Sequence, residues 1–374
     1  MPHSVWAEID LAAVRSNIHE IRAHVGLRTD VMAVVKANAY GHGMNEVARA
    51  AIAAGVNWLG VATVAEALDL RRVFPDIAVC TLAPFDRGDA EAIVSARITP
   101  LVGDLEGARA LALAAQRVRG GARVHIEVDT GLGRSGVAPE GAARLAGLIA
   151  RMPAIQITGM ATHFPDCEGD AAGTRRQLAA FLQATRDVGS AHEPIKPLHC
   201  ASSGAIVQFP ETHLDLVRPG LLTYGIMPSG VSAATSLAVR PALALKSRIV
   251  LLRRLPAGHA VGYGGTHVLA RSSLVATVSV GYGDGYPRAL GNRGFVLIDG
   301  QRAPVIGRVN MDVITVDVSD IPKAEVGSDV ALIGRQGQDG ITVNDVARWS
   351  DTIPHEVTTR LMPRTPRVYL NVQS

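Results

Sequence analysis

Lys36 follows five consecutive apolar residues, Val31–Val35, and precedes the short glycine-containing segment 37–43. It is one of only four lysines in a chain that contains 33 arginines. A lysine at the end of an apolar strand loses hydration, which lowers the pKa of its amine and leaves a nucleophile suited to a Schiff base with a carbonyl compound such as pyridoxal phosphate. The alternative is a lysine whose stem covers apolar surface while its ammonium group stays in water.

Further polar side chains follow other apolar runs of the sequence. They are the segment Asp129–Arg134, His163, His199, Ser203 and Arg218. Taken singly, each is explained by a structural hydrogen bond. If the apolar runs are the strands of one barrel, however, these residues meet on one rim, where the loops after the strands hold the active sites of barrel enzymes.

Apolar runs and amphipathic stretches alternate from about residue 10 to about residue 224. We predict strands at Val31–Val35, Trp58–Ala62, Ile77–Leu82, Ile98–Val102, Val124–Val128, Ile155–Met160, Pro197–Cys200 and Leu214–Val217. Helical patterns cover Leu11–His24, Met44–Ala54, Val64–Arg71, Leu105–Arg117, Glu140–Arg151 and Ala172–Val188. Eight strand–helix units favour a TIM-type (β/α)8 barrel over an open doubly wound sheet, and no GxGxxG loop follows the first strand.

After about residue 235 the long helical patterns end and short β-rich segments alternate with turns. We predict strands at Ala244–Leu252, Leu274–Val280, Phe295–Ile298, Val313–Val318 and Val330–Ile333. The sequence therefore predicts a barrel domain at 1–235 and a mainly-β domain at 236–374, with a linker near Ser229–Ser236. The early segment 1–9, strand-like at Val5–Ile9, is expected to pair with the second domain.

Composition excludes several classes of protein. Hydrophobic residues make up 48% of the chain and charged residues 19%, which is typical of a packed protein rather than a disordered one. The formal charge of +3 and the lack of a Lys/Arg block argue against nucleic acid. Three scattered cysteines without CxxC or HExxH predict no disulfide and no metal site. We expect a cytoplasmic protein without a signal peptide or membrane helix.

The predicted rim suits a phosphorylated pyridine aldehyde. Ser203 begins a short predicted helix, and Gly220 and Leu221 follow the last strand, so a hydroxyl and backbone N–H groups are available for phosphate. Arg218 is a candidate donor to the pyridine nitrogen. Because arginine keeps its proton, that nitrogen would stay largely unprotonated, and the ring would be a weaker electron sink than one facing a carboxylate.

The chain resembles the bacterial alanine racemases, pyridoxal-phosphate enzymes of fold type III, over nearly its full length. The segment VVKANAYGHG at 34–43 is similar to the cofactor-lysine signature of that family. Later motifs follow in the family's order: VDTGLGRSG at 128–136, THF at 162–164, HCASS at 199–203, RPG at 218–220, VGYG at 261–264, GYGDGY at 281–286 and VNMD at 309–312.

The resemblance implies a role for each matching position. Lys36 and Tyr263 would be two catalytic bases on opposite faces of the substrate, with Tyr263 supplied by the partner in a head-to-tail homodimer. The implied cofactor contacts are Tyr40, Ser203, Gly220 and Leu221 at the phosphate, Arg218 at the pyridine nitrogen, and His163 between Arg218 and Tyr263. Arg134 and the backbone at Met311 would bind the substrate carboxylate, while Tyr282 and Asp312 would shape the entrance. The implied reaction is racemisation of L- and D-alanine, which supplies D-alanine for peptidoglycan.

Two positions depart from the family pattern. Glu127 stands where the family often has a lysine that orients the substrate arginine, so Glu127 is expected to pair with Arg134 instead. His355 stands where a tyrosine usually contacts the phosphate and borders the side-chain pocket. A smaller polar ring at this cofactor-binding position would admit serine or another slightly larger amino acid.

Three alternatives remain open at this stage. The first is a serine or broad-specificity amino-acid racemase. The second is a decarboxylase of the same fold, which would place a carboxylate at the pyridine nitrogen and a cysteine near the substrate. The third is a non-catalytic pyridoxal-phosphate carrier built from the barrel alone.

Overall fold

The computed structural model describes residues 4–190, 195–231 and 237–372. The chain divides into two compact units. We call Val14–Ala39 with Met44–Val239 the barrel unit, and Met1–Ala13 with Tyr40–Gly43 and Arg240–Ser374 the β unit. Most of the predicted linker, residues 232–236, lies outside the described residues, so the domain boundary at residue 235 stays a prediction. The first strand, β1 (Val5–Asp10), belongs to the β unit.

The barrel unit contains eight parallel strands in one sheet. They are β2 (Asp30–Val34), β3 (Trp58–Val61), β4 (Ala78–Thr81), β5 (Thr99–Val102), β6 (Ala122–Glu127), β7 (Ile155–Ala161), β8 (Leu198–His199) and β9 (Leu216–Val217). Their order is β8-β7-β6-β5-β4-β3-β2-β9. Between the two end strands, the Asp215 N–H donates to Leu198 O (3.2 Å) and the Arg218 N–H to Ala201 O (2.9 Å). These bonds nearly close the ring, which confirms the predicted barrel.

Helices alternate with the strands of the barrel as the amphipathic patterns predict. They are α1 (Leu11–Val25), α2 (Met44–Ala53), α3 (Val64–Val73), α4 (Ala90–Ser95), α5 (Leu105–Arg117), α6 (Ala142–Ile149), α7 (Ala171–Gly189) and α8 (Ser203–Gln208). The sequence analysis missed α4, whose six residues are too few to show a clear helical period. Side-chain caps fix several starts: Asp104 accepts the Gly107 N–H before α5 and Asp170 accepts the Gly173 N–H before α7.

The barrel strands are buried on both faces, which explains their nearly continuous apolar sequences. One cluster of buried residues comprises Met32, Cys80, Leu101, Ala161 and Leu216, and Trp58 and Leu82 pack against it. A packed interior of this kind leaves the rim, not the centre, for chemistry.

The β unit is built around a nine-stranded sheet. Its remaining strands, with one short two-stranded pair (β11 and β12), are β10 (Leu243–Leu255), β11 (Ala260–Val261), β12 (His267–Val268), β13 (Ser273–Val278), β14 (Phe295–Ile298), β15 (Gln301–Pro304), β16 (Ile314–Asp317), β17 (Asp329–Gln336), β18 (Asp339–Ile341) and β19 (Arg367–Leu370). Strand β1 pairs antiparallel with β10, where Ala7 faces Leu245, and parallel with β19, where Ala7 faces Arg367.

Two short helices of the β unit escaped the sequence analysis: α9 (Val343–Trp349) and α10 (Pro354–Thr359). Their signals are local. A reciprocal capping box joins Thr342 and Asp345 at the start of α9, and Pro354 occupies the first turn of α10. Within the described residues, no helix is both long enough and apolar enough to cross a lipid bilayer.

Candidate active site

Lys36 lies just beyond the carboxyl end of β2, and an unusual turn follows it. Ala37, Asn38, Ala39 and Tyr40 have φ angles of 51°, 54°, 53° and 52°. Left-handed conformation costs an L-residue about 1–2 kcal/mol each, so a run of four requires specific support. Such a turn fixes the direction in which the lysine leaves the strand.

Hydrogen bonds support this left-handed turn at several points. The Ala37 N–H donates to Glu66 Oε1 (2.6 Å). The Met44 N–H donates to Asn38 Oδ1 (2.9 Å), and the Ala39 N–H donates to Val35 O (2.8 Å). The bonds tie the turn to α2, to α3 and back to the strand end.

The half-buried Lys36 amine has a pKa below its ordinary value of 10.5. Burial is the largest cause, and the positive charge of Arg134 adds to it. Glu66 acts in the opposite direction, and Arg218 lowers the pKa further. This lowered pKa agrees with the sequence analysis. With a lower pKa, more of the amine is unprotonated and nucleophilic at neutral pH.

Arg218, 6% exposed, is held by hydrogen bonds from both of its terminal nitrogens. Nη1 donates to His199 Nδ1 (2.7 Å). Nη2 donates to Thr162 O (2.7 Å) and to Cys200 O (3.2 Å), and it lies 3.3 Å from His163 Nδ1. The position and plane of the guanidinium group at the end of β9 are therefore fixed.

A chain of neutral histidines extends from Arg218. Since arginine only donates, His199 Nδ1 must accept, and its proton must lie on Nε2, which donates to His125 Nδ1 (2.8 Å). Burial lowers the pKa of His125 to about 3 and that of His199 well below 6.5. The sequence analysis named His199 as a rim residue but missed its link to His125.

His163 is neutral as well. Burial is the main cause that lowers its pKa to about 3, and the charges of Arg218, Arg134 and Lys36 act in the same direction. With Nδ1 turned toward Arg218, its proton lies on Nε2. His163 therefore offers one N–H donor to a group on the open side of the rim.

The buried Ser203 begins α8 and gathers backbone donors around its hydroxyl. Its Oγ accepts the Gly220 N–H (3.0 Å) and the Leu222 N–H (3.2 Å). Hydroxyl and backbone N–H groups gathered in this way match the oxygen atoms of a phosphate. Leu221, which is also a predicted phosphate contact, lies between these two donors in sequence and begins the turn Leu221–Tyr224. The sequence analysis named the backbone of Gly220 and Leu221 as donors but not the N–H group of Leu222.

Arg134 lies on an exposed loop after β6, beside a cavity of about 220 Å³ that Glu127, Arg134 and Ser135 help to line. Asp129 shapes this loop by accepting the N–H groups of Gly131 (2.9 Å) and Gly133 (3.0 Å). The expected Arg134–Glu127 ion pair is absent among the described residues. Burial is the largest cause that raises the pKa of Glu127, and the charge of Arg134 acts in the opposite direction. Glu127 is buried, whereas Arg134 is exposed.

The β unit contains the other predicted site residues. Tyr263 begins the turn Tyr263–Gly265 between β11 and β12, and 72% of its surface is exposed. Asn292 clamps this region, since its Nδ2 donates to Thr266 Oγ1 (3.1 Å) and its Oδ1 accepts the Gly307 N–H (2.6 Å). Tyr263 is therefore exposed on a turn that is followed by a segment anchored by Asn292.

Arg364 organises the turn at Met311 and Asp312, and the sequence analysis missed it. Its Nε contacts Asp284 Oδ1 (2.8 Å), and its Nη2 contacts Asp312 Oδ1 (2.9 Å) and Met311 O (3.2 Å). The Gly283 N–H also donates to Met311 O (2.9 Å) beside Tyr282. Met311 and Tyr282 are 53% and 41% exposed.

Tyr40 and His355 lie against each other in the β unit, with ring centroids 5.6 Å apart and planes at 42°. Burial raises the pKa of Tyr40 to about 12, so its hydroxyl stays protonated and can donate. His355 is exposed on α10. Of the predicted site residues, the structure brings Lys36, Arg134, His163, Ser203, Arg218, Gly220 and Leu221 to the barrel unit and leaves Tyr40, Tyr263, Tyr282, Met311, Asp312 and His355 in the β unit.

Comparisons with known proteins cover almost the whole chain. A family model for the N-terminal domain of alanine racemase matches residues 9–228, and the model for the C-terminal domain matches residues 242–369. The alanine racemase of Symbiobacterium thermophilum is 42% identical over 368 residues, which are 97% of this chain and 96% of that protein.

Two solved structures extend the likeness to three dimensions. The alanine racemase of the D-cycloserine-producing Streptomyces lavendulae is 37% identical, with a TM-score of 0.93 and coverage of 99% of this chain and 98% of that one. The alanine racemase of Bartonella henselae, a structure with covalently bound pyridoxal phosphate, is 31% identical, with a TM-score of 0.89 and coverage of 99% and 100%.

Proposed function

The chain belongs to the alanine racemase family, a family of isomerases, and from this premise we propose that it interconverts L- and D-alanine with pyridoxal phosphate bound at Lys36. The observation that carries the proposal is the arrangement on the barrel rim. A lysine with a lowered pKa and an arginine fixed by hydrogen bonds lie on the same rim, with a hydroxyl and backbone N–H groups for phosphate.

The residues of the rim fit the cofactor. Lys36 supplies the amine for its covalent attachment, and the Ser203 hydroxyl with the N–H groups of Gly220 and Leu222 would hold its phosphate. Leu221 contributes to the same turn, and the protonated Tyr40 hydroxyl is proposed as a further phosphate donor. When bound, pyridoxal phosphate withdraws electrons from the substrate and acidifies its Cα–H.

Arg218 limits the reaction that follows. Its guanidinium group is fixed by His199 and two carbonyl oxygens, and it can only donate toward the pyridine nitrogen. An unprotonated ring nitrogen withdraws electrons less strongly, which suits a brief proton transfer rather than the release of carbon dioxide. This donor argues against the decarboxylase alternative, which would need a carboxylate in that place.

Two bases are proposed for the proton transfer. The Lys36 amine takes or gives the Cα proton on one face, and the Tyr263 hydroxyl of the partner subunit acts on the other. His163 Nε2–H would donate to the tyrosine oxygen and stabilise its anionic form, because Nδ1 is engaged by Arg218. With one base on each face, neither has to move around the carbon atom.

A head-to-tail homodimer is part of this proposal. Tyr263, Tyr282 and Met311 expose 72%, 41% and 53% of their surfaces, although large apolar side chains are usually covered. A second copy of the chain would cover them and receive Tyr263 at its rim. This arrangement also argues against a non-catalytic carrier, because a carrier built from the barrel alone would not require an exposed tyrosine on an anchored turn of the β unit.

Arg134 and the backbone at Met311 are proposed to bind the substrate carboxylate. Arg134 is exposed on its loop, and Arg364 fixes the turn at Met311 and Asp312 through two ion pairs. Tyr282 and Asp312 would then narrow the entrance. A guanidinium group can bind a carboxylate through two parallel hydrogen bonds, which also orients the substrate.

Serine is the second candidate substrate. The specific observation in its favour is His355, which lies beside Tyr40 where a tyrosine is expected. An imidazole is smaller than a phenol and presents two nitrogen atoms that can bond a hydroxyl group. Alanine remains the first choice, with D-alanine for peptidoglycan in the cytoplasm as the proposed role.

The proposal is tested by incubating the purified protein with pyridoxal phosphate and following the formation of D-alanine from L-alanine and of D-serine from L-serine. We expect both reactions to stop in Lys36→Ala, with alanine the faster substrate of the unaltered protein. Faster turnover of serine would assign a broader racemase. Release of ethylamine from alanine would assign a decarboxylase, and cofactor binding without either product would leave a carrier.

A further inference from the structure

Glu66 occupies the third position of α3 and takes part in a reciprocal capping box. Its Oε2 accepts the N–H groups of Ala62 (2.9 Å) and Thr63 (3.1 Å), while the Glu66 N–H donates to Thr63 Oγ1 (3.2 Å). A capping box of this type stabilises the start of a helix and needs only one carboxylate oxygen.

The second oxygen of Glu66 has a different partner. Oε1 accepts the Ala37 N–H at 2.6 Å, across 29 positions of the chain. Ala37 directly follows Lys36 and begins the left-handed turn Ala37–Tyr40. Helix capping does not require this bond, so it calls for an explanation of its own.

The left-handed turn depends on such bonds. Non-glycine residues adopt this conformation singly, and a run of four is stable only where the surroundings impose it. The bonds of Asn38 and Ala39 support the middle of the turn. The bond to Glu66 acts on the peptide group that joins Lys36 to the turn, and its acceptor is a charged carboxylate.

We propose that Glu66 is a positioning residue for Lys36: its carboxylate fixes the peptide after the lysine and places a negative charge next to the lysine backbone. The proposal rests on the proposed function, in which Lys36 binds the cofactor and moves a proton. It also explains why one carboxylate is shared between a helix start and the lysine turn.

The charge has a second effect on the amine. Burial, Arg134 and Arg218 all lower the pKa of Lys36, and Glu66 raises it. An amine with too low a pKa binds the Cα proton weakly and is a poor base, whereas one with too high a pKa is protonated and cannot attack a carbonyl group. Glu66 therefore opposes part of the lowering of the Lys36 pKa.

Glu66→Gln separates the two roles of the side chain. The glutamine side chain has a single acceptor oxygen, which can accept either from the Ala37 N–H or from the N–H groups of Ala62 and Thr63. Its NH2 group then faces the other N–H donors and cannot accept from them. Thr63→Val is the matched control, because it removes the hydroxyl cap of α3 and keeps the carboxylate.

The experiment measures the rate at which each cofactor-free variant captures pyridoxal phosphate, as a function of pH, and the kcat/KM of each holoenzyme for alanine. The midpoint of the capture rate reports the pKa of Lys36. In Glu66→Gln we expect the midpoint at lower pH than in the unaltered protein and kcat/KM reduced about tenfold or more, the cost of a misplaced reacting group. Thr63→Val should keep the midpoint of the unaltered protein.

If Glu66→Gln fails to fold, the double variant Glu66→Gln with Ala37→Gly replaces it, since glycine adopts the left-handed conformation without a steric cost. This variant should fold and still show the lower midpoint. An unshifted midpoint in a folded Glu66 variant, in a protein that racemises alanine when unaltered, would overturn the proposal and leave the function standing. Absence of racemisation by the unaltered protein would instead contradict the proposed function.

Discussion

Arg218 Nη1 donates to His199 Nδ1 over 2.7 Å, and both side chains are buried. The bond fixes the plane of the guanidinium group and forces the tautomer of the imidazole, so two side chains on β8 and after β9 act as one unit. The proposed chemistry depends on this unit, because it would present an arginine donor to the ring nitrogen of a bound cofactor.

The effect of replacing His199 should therefore depend on whether the new side chain supplies a hydrogen-bond acceptor at the position of Nδ1. His199→Leu leaves a buried guanidinium donor without an acceptor, and we expect a loss of about 3 kcal/mol in the free energy of unfolding with a large loss of kcat. His199→Asn places an oxygen near the Nδ1 position and should retain most of both. Urea unfolding and racemisation assays measure these effects; equal losses in the two variants would show that the acceptor is not what matters.

Acid should destabilise the fold through the buried histidines. The pKa of His125 in the folded state is about 3, and that of His199 is also far below 6.5. As the pH falls below 6.5, these two histidines therefore take up protons in the unfolded chain but not in the folded chain. The contribution of His125 is fully present above pH 6.5 and is lost as the pH falls from 6.5 toward about 3, at about 1.4 kcal/mol per pH unit. His199 acts in the same direction.

The measurement is the free energy of unfolding in urea between pH 6.5 and pH 5.0, a range in which ordinary carboxyl groups remain ionised. His125→Asn should lower the slope against pH by about one proton. A slope that is the same in both proteins would mean that His125 is protonated in the folded state.

Tyr263→Phe should separate proton exchange from inversion. With Lys36 as the only remaining base, one enantiomer of alanine should exchange its Cα proton for solvent deuterium while racemisation falls by about 10²–10⁴-fold. Mass spectrometry of each enantiomer recovered from deuterated buffer gives both rates. Tyr282→Phe, the matched change at the entrance, should keep both activities. Exchange of both enantiomers in Tyr263→Phe would mean that a single base serves both faces.

His355 should control the preference between alanine and serine. His355→Tyr is expected to raise the ratio of kcat/KM for alanine over serine by about tenfold, the range that a change of one group in a side-chain pocket produces. The assay compares both substrates in both proteins at one cofactor concentration. An unchanged ratio would place the specificity elsewhere and make His355 a neutral variation.

Much of the barrel was predictable because its strands are buried on both faces and appear as uninterrupted apolar runs, such as Val31–Val35. The rim residues were predictable for the same reason, since they are the first polar side chains after those runs. The ends of the strands were less certain. The sheet pairs only Leu198 and His199 of the predicted segment Pro197–Cys200.

The features that escaped prediction depend on contacts between distant parts of the chain. Arg364 holds Asp284 and Asp312, and nothing near residue 364 in the sequence indicates either partner. The sequence analysis did not single out Glu66, and its bond to Ala37 exists because the barrel places β2 next to β3. The Arg134–Glu127 pair was expected because Glu127 stands where the family often has a lysine that orients the substrate arginine. The structure instead buries Glu127 and exposes Arg134.

The central claim is that each active site takes Lys36 from one subunit and Tyr263 from its partner. Mixing Lys36→Ala with Tyr263→Phe under conditions that exchange subunits tests it most directly. Random pairing makes half of the dimers mixed, and each mixed dimer has one site with both bases intact, so activity should rise from near zero to about a quarter of that of the unaltered protein. Activity that stays near zero after verified subunit exchange would contradict the shared site, because both bases would then belong to a single chain.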